Sequence, residues 1–413
     1  MRHLPFLRAL LEIEENTPSW LAVTAGLAVL RLVDRHLGGA EGDGADDGQL
    51  DTWSVTAARQ QVTRVAPREP VGAILGGVME LLAGEQPVGG PAAGEILAAQ
   101  LFAYGRALEL EGRYDLAADV YETVGRCVAP PPATDVAVDA QMRLGYCARM
   151  LGRLDMAATA YSAASRLALV LGDESRVIRT RIAHGNLAAA RGNLPEAARL
   201  LDDAAHAAAA PELVSVRAIA LHDRAVVAAR MGELERAVEL AHEALRIQSA
   251  PLSRDRLLTD LAVMFLDLGA RSAARDALLV LSATAQERYT RWLAQVNLLE
   301  LAALDGAELV FEQHRRELMA ADLPMDLAVS FQLNLGEGYR RFGREGAARR
   351  ALTCAMELAE THGLHQLAFD AAAALVALER GHPMEEPRPA AMPEAVAPAA
   401  AAVRDLRVLA GVG

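Results

Sequence analysis

Apolar side chains recur every three or four residues along most of this chain, and polar residues fill the positions between them. That period is typical of amphipathic α-helices, whereas β-strands alternate every second residue. One such stripe near the start of the chain consists of Trp20, Val23, Leu27, Leu30, Val33 and Leu37. No segment alternates convincingly with a period of two, so the pattern predicts an all-α protein.

Seven segments between these helical stretches share a glycine that recurs at a nearly constant spacing. The glycines are Gly112, Gly152, Gly192, Gly232, Gly269, Gly306 and Gly343, with spacings of 40, 40, 40, 37, 37 and 37 residues. Each stands between two helix-period segments, where a helix commonly ends in a left-handed residue without a Cβ. The spacing therefore predicts repeated helical hairpins that bend at these glycines.

Six of the seven repeats also place an alanine five residues after the glycine. These alanines are Ala117, Ala157, Ala197, Ala237, Ala274 and Ala348, and the sixth repeat has Phe311 instead. A small residue at a fixed position lets the two helices of a hairpin approach closely. Since one hairpin cannot bury its own apolar stripe, we expect the hairpins to stack and share a continuous core.

The repeats share two more positions. The residue four places after the alanine is Tyr121, Tyr161 or Leu201 in the first three repeats. A second glycine, seven places before the first, is present at Gly105, Gly145, Gly185 and Gly336, with alanine at Ala225 and Ala262. Over residues 92–380 this pattern resembles the tetratricopeptide repeat, in the long-repeat form of bacterial regulatory members. The repeats exceed the usual length and lack the family's early tryptophan. The resemblance implies a right-handed α-solenoid of stacked antiparallel hairpins.

Residues 1–90 do not fit the repeat spacing and are predicted to form a helical cap at one end of the array. The predicted helices cover residues 4–14, a segment opened by Thr17 and Pro18, residues 51–65 and residues 70–82. The glycine-rich acidic segment 38–51 lacks the ligand spacing of a calcium loop, so we expect a solvated loop.

The repeat array is predicted over residues 91–381, and a Pro/Ala-rich tail follows over 382–413. Prolines among alanines predict an extended linker over residues 381–402. Residues 403–409 are predicted to form a short helix that docks on the array or on another molecule.

Charge and composition narrow the classes of function. The chain has 41 arginines and no lysine against 54 acidic residues, for a formal net charge of −13. Such an acidic chain is a poor candidate for binding nucleic acid through a broad basic surface. The lack of lysine excludes Schiff-base chemistry and a P-loop lysine. Aromatic residues make up only 4% of the chain, which fits close packing of alanine, leucine and valine.

Cysteine usage and hydropathy bear on the compartment. Cys127, Cys147 and Cys354 show no CxxC spacing, which favours a reducing compartment over a disulfide framework. Acidic residues interrupt any secretory apolar segment at the N-terminus, and the apolar stretch 20–30 is too short to span a bilayer. We expect a soluble cytoplasmic protein without a membrane partner.

The sequence contains no recognisable catalytic signature. The motifs G-x-S-x-G and H-E-x-x-H and a phosphate-binding glycine loop are absent. His362 and His365 are the only close histidine pair, and no nearby cysteine completes a metal site. We therefore predict no catalytic residue, no metal and no cofactor. An enzyme remains a weaker hypothesis, which would need a perturbed group such as His184 or His222 in a pocket.

In the family that the repeats resemble, the first helix of each hairpin lines a concave groove. The matching polar positions, which are the predicted ligand-binding residues, are Arg106, Glu109, Tyr146, Arg149, Arg179, Asn186, His222, Arg230, Arg256, Glu300, Glu337, Arg340 and Arg341. Arginine suits such a groove because its planar guanidinium pairs with carboxylates. Asn186 matches members that clamp chaperone tails, but Ile182, Asp223 and the missing lysines do not, so no such clamp is predicted.

A second candidate contact surface lies in residues 286–292. It combines aromatic and guanidinium groups, the types that dominate interface hot spots, in Arg288, Tyr289, Arg291 and Trp292. The alternative interpretation is that Tyr289 and Trp292 simply pack between helices.

Three functions remain open. The favoured hypothesis is a non-catalytic scaffold that binds another protein or a peptide in the groove of the solenoid. The first alternative is a regulator of the bacterial peptide-sensing kind, in which a bound peptide tightens the superhelix. The second alternative is the enzyme. The identity of the partner and the oligomeric state stay undetermined at this point.

Overall fold

A computed structural model describes residues 2–39, 52–65, 70–83, 91–128, 134–381 and 392–412. Within these ranges it contains twenty α-helices and no strand, which confirms the predicted all-α class. The chain divides into two compact units, Met1–Ala208 and Ala209–Gly413. The predicted domain boundaries at residues 90 and 381 stay a prediction.

The first unit combines the helical lead-in with three hairpins. The lead-in helices are α1 (Leu4–Glu12), α2 (Pro18–Gly39), α3 (Thr52–Val65) and α4 (Pro70–Ala83). The hairpins are α5 (Pro91–Leu110) with α6 (Tyr114–Cys127), α7 (Asp135–Met150) with α8 (Leu154–Leu171), and α9 (Glu174–Ala190) with α10 (Leu194–Ala207). Each hairpin packs on the next, so the first unit is a stack of antiparallel helix pairs.

The second unit repeats this arrangement. Its hairpins are α11 (Val214–Arg230) with α12 (Leu234–Ile247), α13 (Pro251–Asp267) with α14 (Arg271–Thr284), α15 (Arg288–Leu304) with α16 (Glu308–Met319), and α17 (Met325–Arg341) with α18 (Glu345–Thr361). Two single helices follow, α19 (His365–Glu379) and α20 (Ala397–Leu409). The predicted stacking of antiparallel helix hairpins is thus confirmed within each unit.

All seven repeat glycines lie at the bends between the paired helices, as predicted. Their φ angles run from 69° at Gly306 to 81° at Gly192 and Gly232. At Gly152 the turn is closed by a hydrogen bond from Arg153 N to Ala148 O of 2.8 Å. A side chain in this left-handed conformation would be strained, so glycine fixes where each hairpin turns.

The second set of glycines lets the helices of one hairpin interlock. A Cβ added at Gly105 would lie 2.7 Å from the Tyr121 ring, and one at Gly145 would overlap the Tyr161 ring. The bulky residue of the second helix therefore packs directly on the backbone of the first helix. Leu201 fills the same place opposite Gly185, and Leu352 does so opposite Gly336.

The sixth repeat departs from this pattern because Phe311 replaces the small alanine. Phe311 is fully buried and makes edge contacts with the rings of Tyr339 and Phe342, at centroid distances of 5.6 and 5.2 Å. A Cβ at Gly338 of α17 would overlap the Phe311 ring, so this glycine makes room for it. In this repeat α15 also packs directly on α17.

The lead-in packs onto the first hairpin and shares one apolar core with it. A buried polar bridge joins α1, α2 and α6. The two ring nitrogens of His3 lie 2.7 Å from an Asp119 oxygen and 3.2 Å from an Asp34 oxygen. Arg126 also donates to Asp34, at 2.5 Å. The lead-in thus caps the first hairpin, as predicted.

Three predicted boundaries in the two ends of the chain need correction. Helix α1 ends at Glu12 and not at residue 14, and α2 runs to Gly39, so the predicted loop 38–51 begins later. The rest of that loop, residues 40–51, lies outside the described residues.

In the tail, α20 begins at Ala397, whereas an extended linker was predicted up to residue 402. Pro398 falls in the first turn of α20, where proline is tolerated, and the alanines after it favour helix. The remainder of the linker, residues 382–391, is not among the described residues.

The predicted tail helix over residues 403–409 is confirmed as part of α20, and it docks on α12 and α14. Val396 and Val403 are fully buried in this contact. Arg407 donates to the buried Asp276 of α14 at 2.9 Å. The tail is therefore held by apolar contacts and by two ion pairs to Asp276, from Arg404 and Arg407.

Replacing Gly145 with alanine tests the interlocking. The added methyl group has no space against Tyr161, so we expect a loss of about 1–3 kcal/mol in the free energy of unfolding. Gly76→Ala is the matched control, because nothing lies within 4 Å of the added Cβ. A helical Gly→Ala change in open space stabilises by about 0.5–1 kcal/mol. Equal effects of the two substitutions in denaturant unfolding would contradict the packing described here.

Replacing His3 with asparagine tests the polar bridge. His3 has a φ of 58°, a conformation that asparagine tolerates, so backbone strain is not introduced. Because a buried bridge is broken, amide exchange in α1 should accelerate about tenfold or more, as expected for roughly 1–3 kcal/mol. Arg8→Gln, at an exposed position of the same helix, is the control. Unchanged exchange in His3→Asn would show that the bridge does not hold α1.

Candidate binding face

The first helices of successive hairpins carry the polar residues that the sequence assigned to a groove. In the first unit the central group is Glu109 of α5, whose side chain is only 7% exposed. Its carboxylate accepts a hydrogen bond of 3.1 Å from the Tyr121 hydroxyl and one of 2.9 Å from Arg143 Nε. Arg106 donates to it from one turn away at 2.5 Å. Glu109 thus ties α5 to α6 and α7.

Tyr146 of α7 lies beside this carboxylate and is surrounded by cations. The guanidinium carbons of Arg143 and Arg149 are 4.8 and 5.4 Å from its ring centroid, within cation–π range. The ring of Tyr114, at the start of α6, meets it edge-on at 6.0 Å. The residues Arg106, Glu109, Arg143, Tyr146 and Arg149 are called the Tyr146 cluster below.

Sequence reasoning found four members of this cluster and missed Arg143. Arg143, Tyr146 and Arg149 follow one another at intervals of three residues, so they lie along one side of α7. That spacing was the available signal. The Tyr114 ring was also missed, because its contact with Tyr146 depends on how two hairpins stack.

The predicted residues of α9 do not join the Tyr146 cluster. Arg179 is exposed, and Asn186 is partly buried and has partners of its own. Another arginine of α9, Arg176, reaches back to α7 and pairs with Asp139 at 3.2 Å. Of the predicted groove residues in the first unit, those on α5 and α7 therefore form one cluster, and those on α9 stand apart from it.

In the second unit the predicted residues do not gather into one cluster. His222 of α11 lies 2.6 Å from an Asp260 oxygen of α13. Arg230 and Arg256 are exposed, and Arg340 lies 3.5 Å from the backbone oxygen of Ala377. These contacts do not converge on one point.

Glu300 of α15 interacts with two predicted groove residues of α17. It is exposed to solvent, yet surrounding protein raises its pKa by desolvation. Arg341 opposes this rise in pKa, and Glu337 adds to it by repulsion. Three of the predicted groove residues on α15 and α17 are therefore close enough to interact.

The predicted hot spot at residues 286–292 is largely engaged inside the chain. The guanidinium of Arg288 lies over the Trp292 ring at 4.2 Å, and the Tyr289 hydroxyl donates to Asp326 at 2.5 Å. Arg291 donates to the backbone oxygen of Ala285 at 2.8 Å, at the end of α14. The Tyr289 side chain keeps substantial exposure, 41%, so a role in binding stays a prediction.

Metal sites and membrane spans are the two other kinds of feature that the described residues can reveal. No group of three histidine, cysteine or acidic side chains there is placed to hold a metal ion. In the same ranges, no helix has both the length and the hydropathy needed to cross a membrane.

The sequence matches no family model and no curated protein. Three solved structures illustrate what the chain is similar to. The apo form of RapI is 9% identical, with a TM-score of 0.46 over 86% of this chain and 99% of that chain. The apo form of the quorum sensor NprR from B. thuringiensis is 11% identical, with a TM-score of 0.44 over 90% and 91%. The APC/C hetero-tetramer Cut9–Hcn1 is 16% identical, with a TM-score of 0.44 over 92% and 68%.

His184 of α9 should make the stability of the fold sensitive to acid. Burial lowers the pKa of His184, and the nearby Arg191 lowers it further. Below about pH 6.5, His184 therefore binds a proton more readily in the unfolded chain than in the folded chain. The free energy of unfolding should fall as the pH drops. His184→Gln should lose less stability than the wild-type chain between pH 7 and pH 5.

The measurement is denaturant unfolding at both pH values, with His206→Gln of α10 as the histidine control. The effect of His184 is at most about 1.4 kcal/mol per pH unit. An identical acid loss in wild type and His184→Gln would contradict the assignment.

Proposed function

We propose that this chain is a non-catalytic scaffold that binds a peptide or protein segment through the first helices of its hairpins. The observation that carries the proposal is the Tyr146 cluster. It places a tyrosine and three arginines, the residue types common in binding hot spots, on two adjacent first helices.

The cluster is held in place before any ligand arrives. Glu109 fixes Arg106 and Arg143, and the Tyr114 ring supports the ring of Tyr146. Side chains that are already ordered lose little conformational entropy on binding. Arg143 nevertheless keeps 30% of its side chain exposed, so a ligand can reach it.

We assign no reaction to the chain, because the two histidines of the enzyme hypothesis have other neighbours. His184 meets the Tyr161 ring edge-on at 5.9 Å, and His222 pairs with Asp260. We also place the protein in the cytoplasm, a proposal supported by three free cysteines.

A selection from a phage-displayed library of random dodecapeptides tests the scaffold proposal. Peptides that bind the full chain should slow amide exchange on first helices such as α5 and α7, and leave α8 and α10 unchanged. Selection of no peptide, or protection confined to second helices, would contradict it. Unchanged small-angle scattering with bound peptide fits a scaffold, whereas compaction favours the peptide-switched regulator.

A further inference from the structure

The Tyr146 cluster contains more positive than negative charge. Its single carboxylate, Glu109, is shared by Arg106 and Arg143. Among the residues that the structure describes, no carboxylate lies within ion-pairing distance of Arg149. Burial and the neighbouring Arg106 lower the pKa of Arg143, as expected where cations are crowded and partly desolvated.

Arg199 and Arg176, on two other helices of the first unit, differ from Arg149 because each has acidic partners. On α10, the second helix of the third hairpin, Arg199 pairs with both Glu196 and Asp203, at 2.7 and 2.8 Å. Arg176 of α9 pairs with Asp139 and Asp173. The whole chain has a net charge of −13, whereas this cluster has three arginines and a single carboxylate and is positively charged.

The position of Arg149 suits an incoming acceptor. Its Nε atom is buried and has no hydrogen-bond partner, so the hydrogen-bonding capacity of this guanidinium is not fully used inside the protein. The Arg149 guanidinium lies near the Tyr146 ring on one side. On another side it interacts with Tyr161, where it opposes the rise in the pKa of the Tyr161 hydroxyl that burial causes. Two aromatic residues therefore restrict its movement, while a carboxylate would neutralise its charge.

We propose that the Tyr146 cluster anchors an aspartate or glutamate side chain of the bound segment, with Arg149 as its main contact. The Tyr146 ring packs against the ligand's apolar atoms, and Arg106 and Arg143 supply further positive charge. A planar guanidinium can donate two parallel hydrogen bonds to one carboxylate, which gives both strength and orientation. This inference rests on the proposed function, because it names the chemistry that the same face selects.

The experiment begins with the peptides selected from the random dodecapeptide library. The tightest-binding peptide is labelled with fluorescein, and a copy is made in which each acidic residue becomes its amide. Fluorescence polarisation then measures binding to the full chain and to three variants. The variants are Arg149→Gln, Arg149→Lys and Arg199→Gln. Arg199→Gln is the control, because it removes one positive charge, as Arg149→Gln does, but from α10. Circular dichroism confirms that each variant folds.

The selected peptides should be enriched in aspartate and glutamate, despite the acidic net charge of the chain. Arg149→Gln should weaken the acidic peptide about tenfold or more, and the amide copy should bind the wild-type chain about as weakly. Arg149→Lys should recover part of the affinity because it restores the charge without the fork. Arg199→Gln should stay within about twofold of wild type. Added salt should weaken the acidic peptide more than its amide copy.

Two other results are distinguishable. Peptides that bind the first helices without acidic enrichment, or acidic peptides that are insensitive to Arg149→Gln, overturn the anchor and leave the scaffold proposal standing. Selection of no peptide at all overturns both. If Arg149 only stabilises the fold, Arg149→Gln will change the unfolding midpoint while the affinity of the acidic peptide stays the same, which also overturns the anchor.

Discussion

The close approach of the two helices in each hairpin is the constraint on which the rest of this structure depends. In four of the hairpins it exists because glycine occupies one position of the first helix, where Tyr121, Tyr161, Leu201 or Leu352 of the second helix packs on bare backbone. The sixth hairpin has Leu299 at this position and packs through Phe311 instead. A hairpin locked in this way has a fixed rotation of both helices. The fourth repeat has a larger residue than glycine on the first helix and a smaller one than tyrosine or leucine on the second helix. Ala225 replaces the glycine there, and the residue sixteen positions later is the small Ala241, with both fully buried.

That fixed rotation determines which side chains each first helix presents away from its partner. With Gly145 turned towards Tyr161, the next residue, Tyr146, presents its ring to Arg143 and Arg149. The neighbouring hairpin then brings Glu109 within hydrogen-bond distance of Arg143. The proposed binding face therefore depends on how the hairpins pack.

The repeat glycines were predictable from the sequence because a positive φ is a local demand that glycine meets alone. The positions of these glycines therefore also predicted the hairpins and their bends. The contact between Glu109 and Arg143 was not predictable, since it spans 34 residues and depends on how one hairpin stacks on the next. Phe311 marked the sixth repeat as different, but only the structure shows that Gly338 accommodates the ring. The tail was misread for a different reason. Prolines suggested an extended linker, yet Pro398 sits in the first turn of α20, where it is compatible with helix.

A double-mutant cycle on Gly145 and Tyr161 tests the central claim most directly. The four proteins are the wild type, Gly145→Ala, Tyr161→Ala and the double variant, which reproduces the Ala225/Ala241 pair of the fourth repeat. If the ring occupies the space left by the missing Cβ, the alanine at position 145 should cost about 1–3 kcal/mol less once the ring is removed. Additive losses in the free energy of unfolding would show that the two residues do not interlock, and would contradict the account of how these hairpins are built.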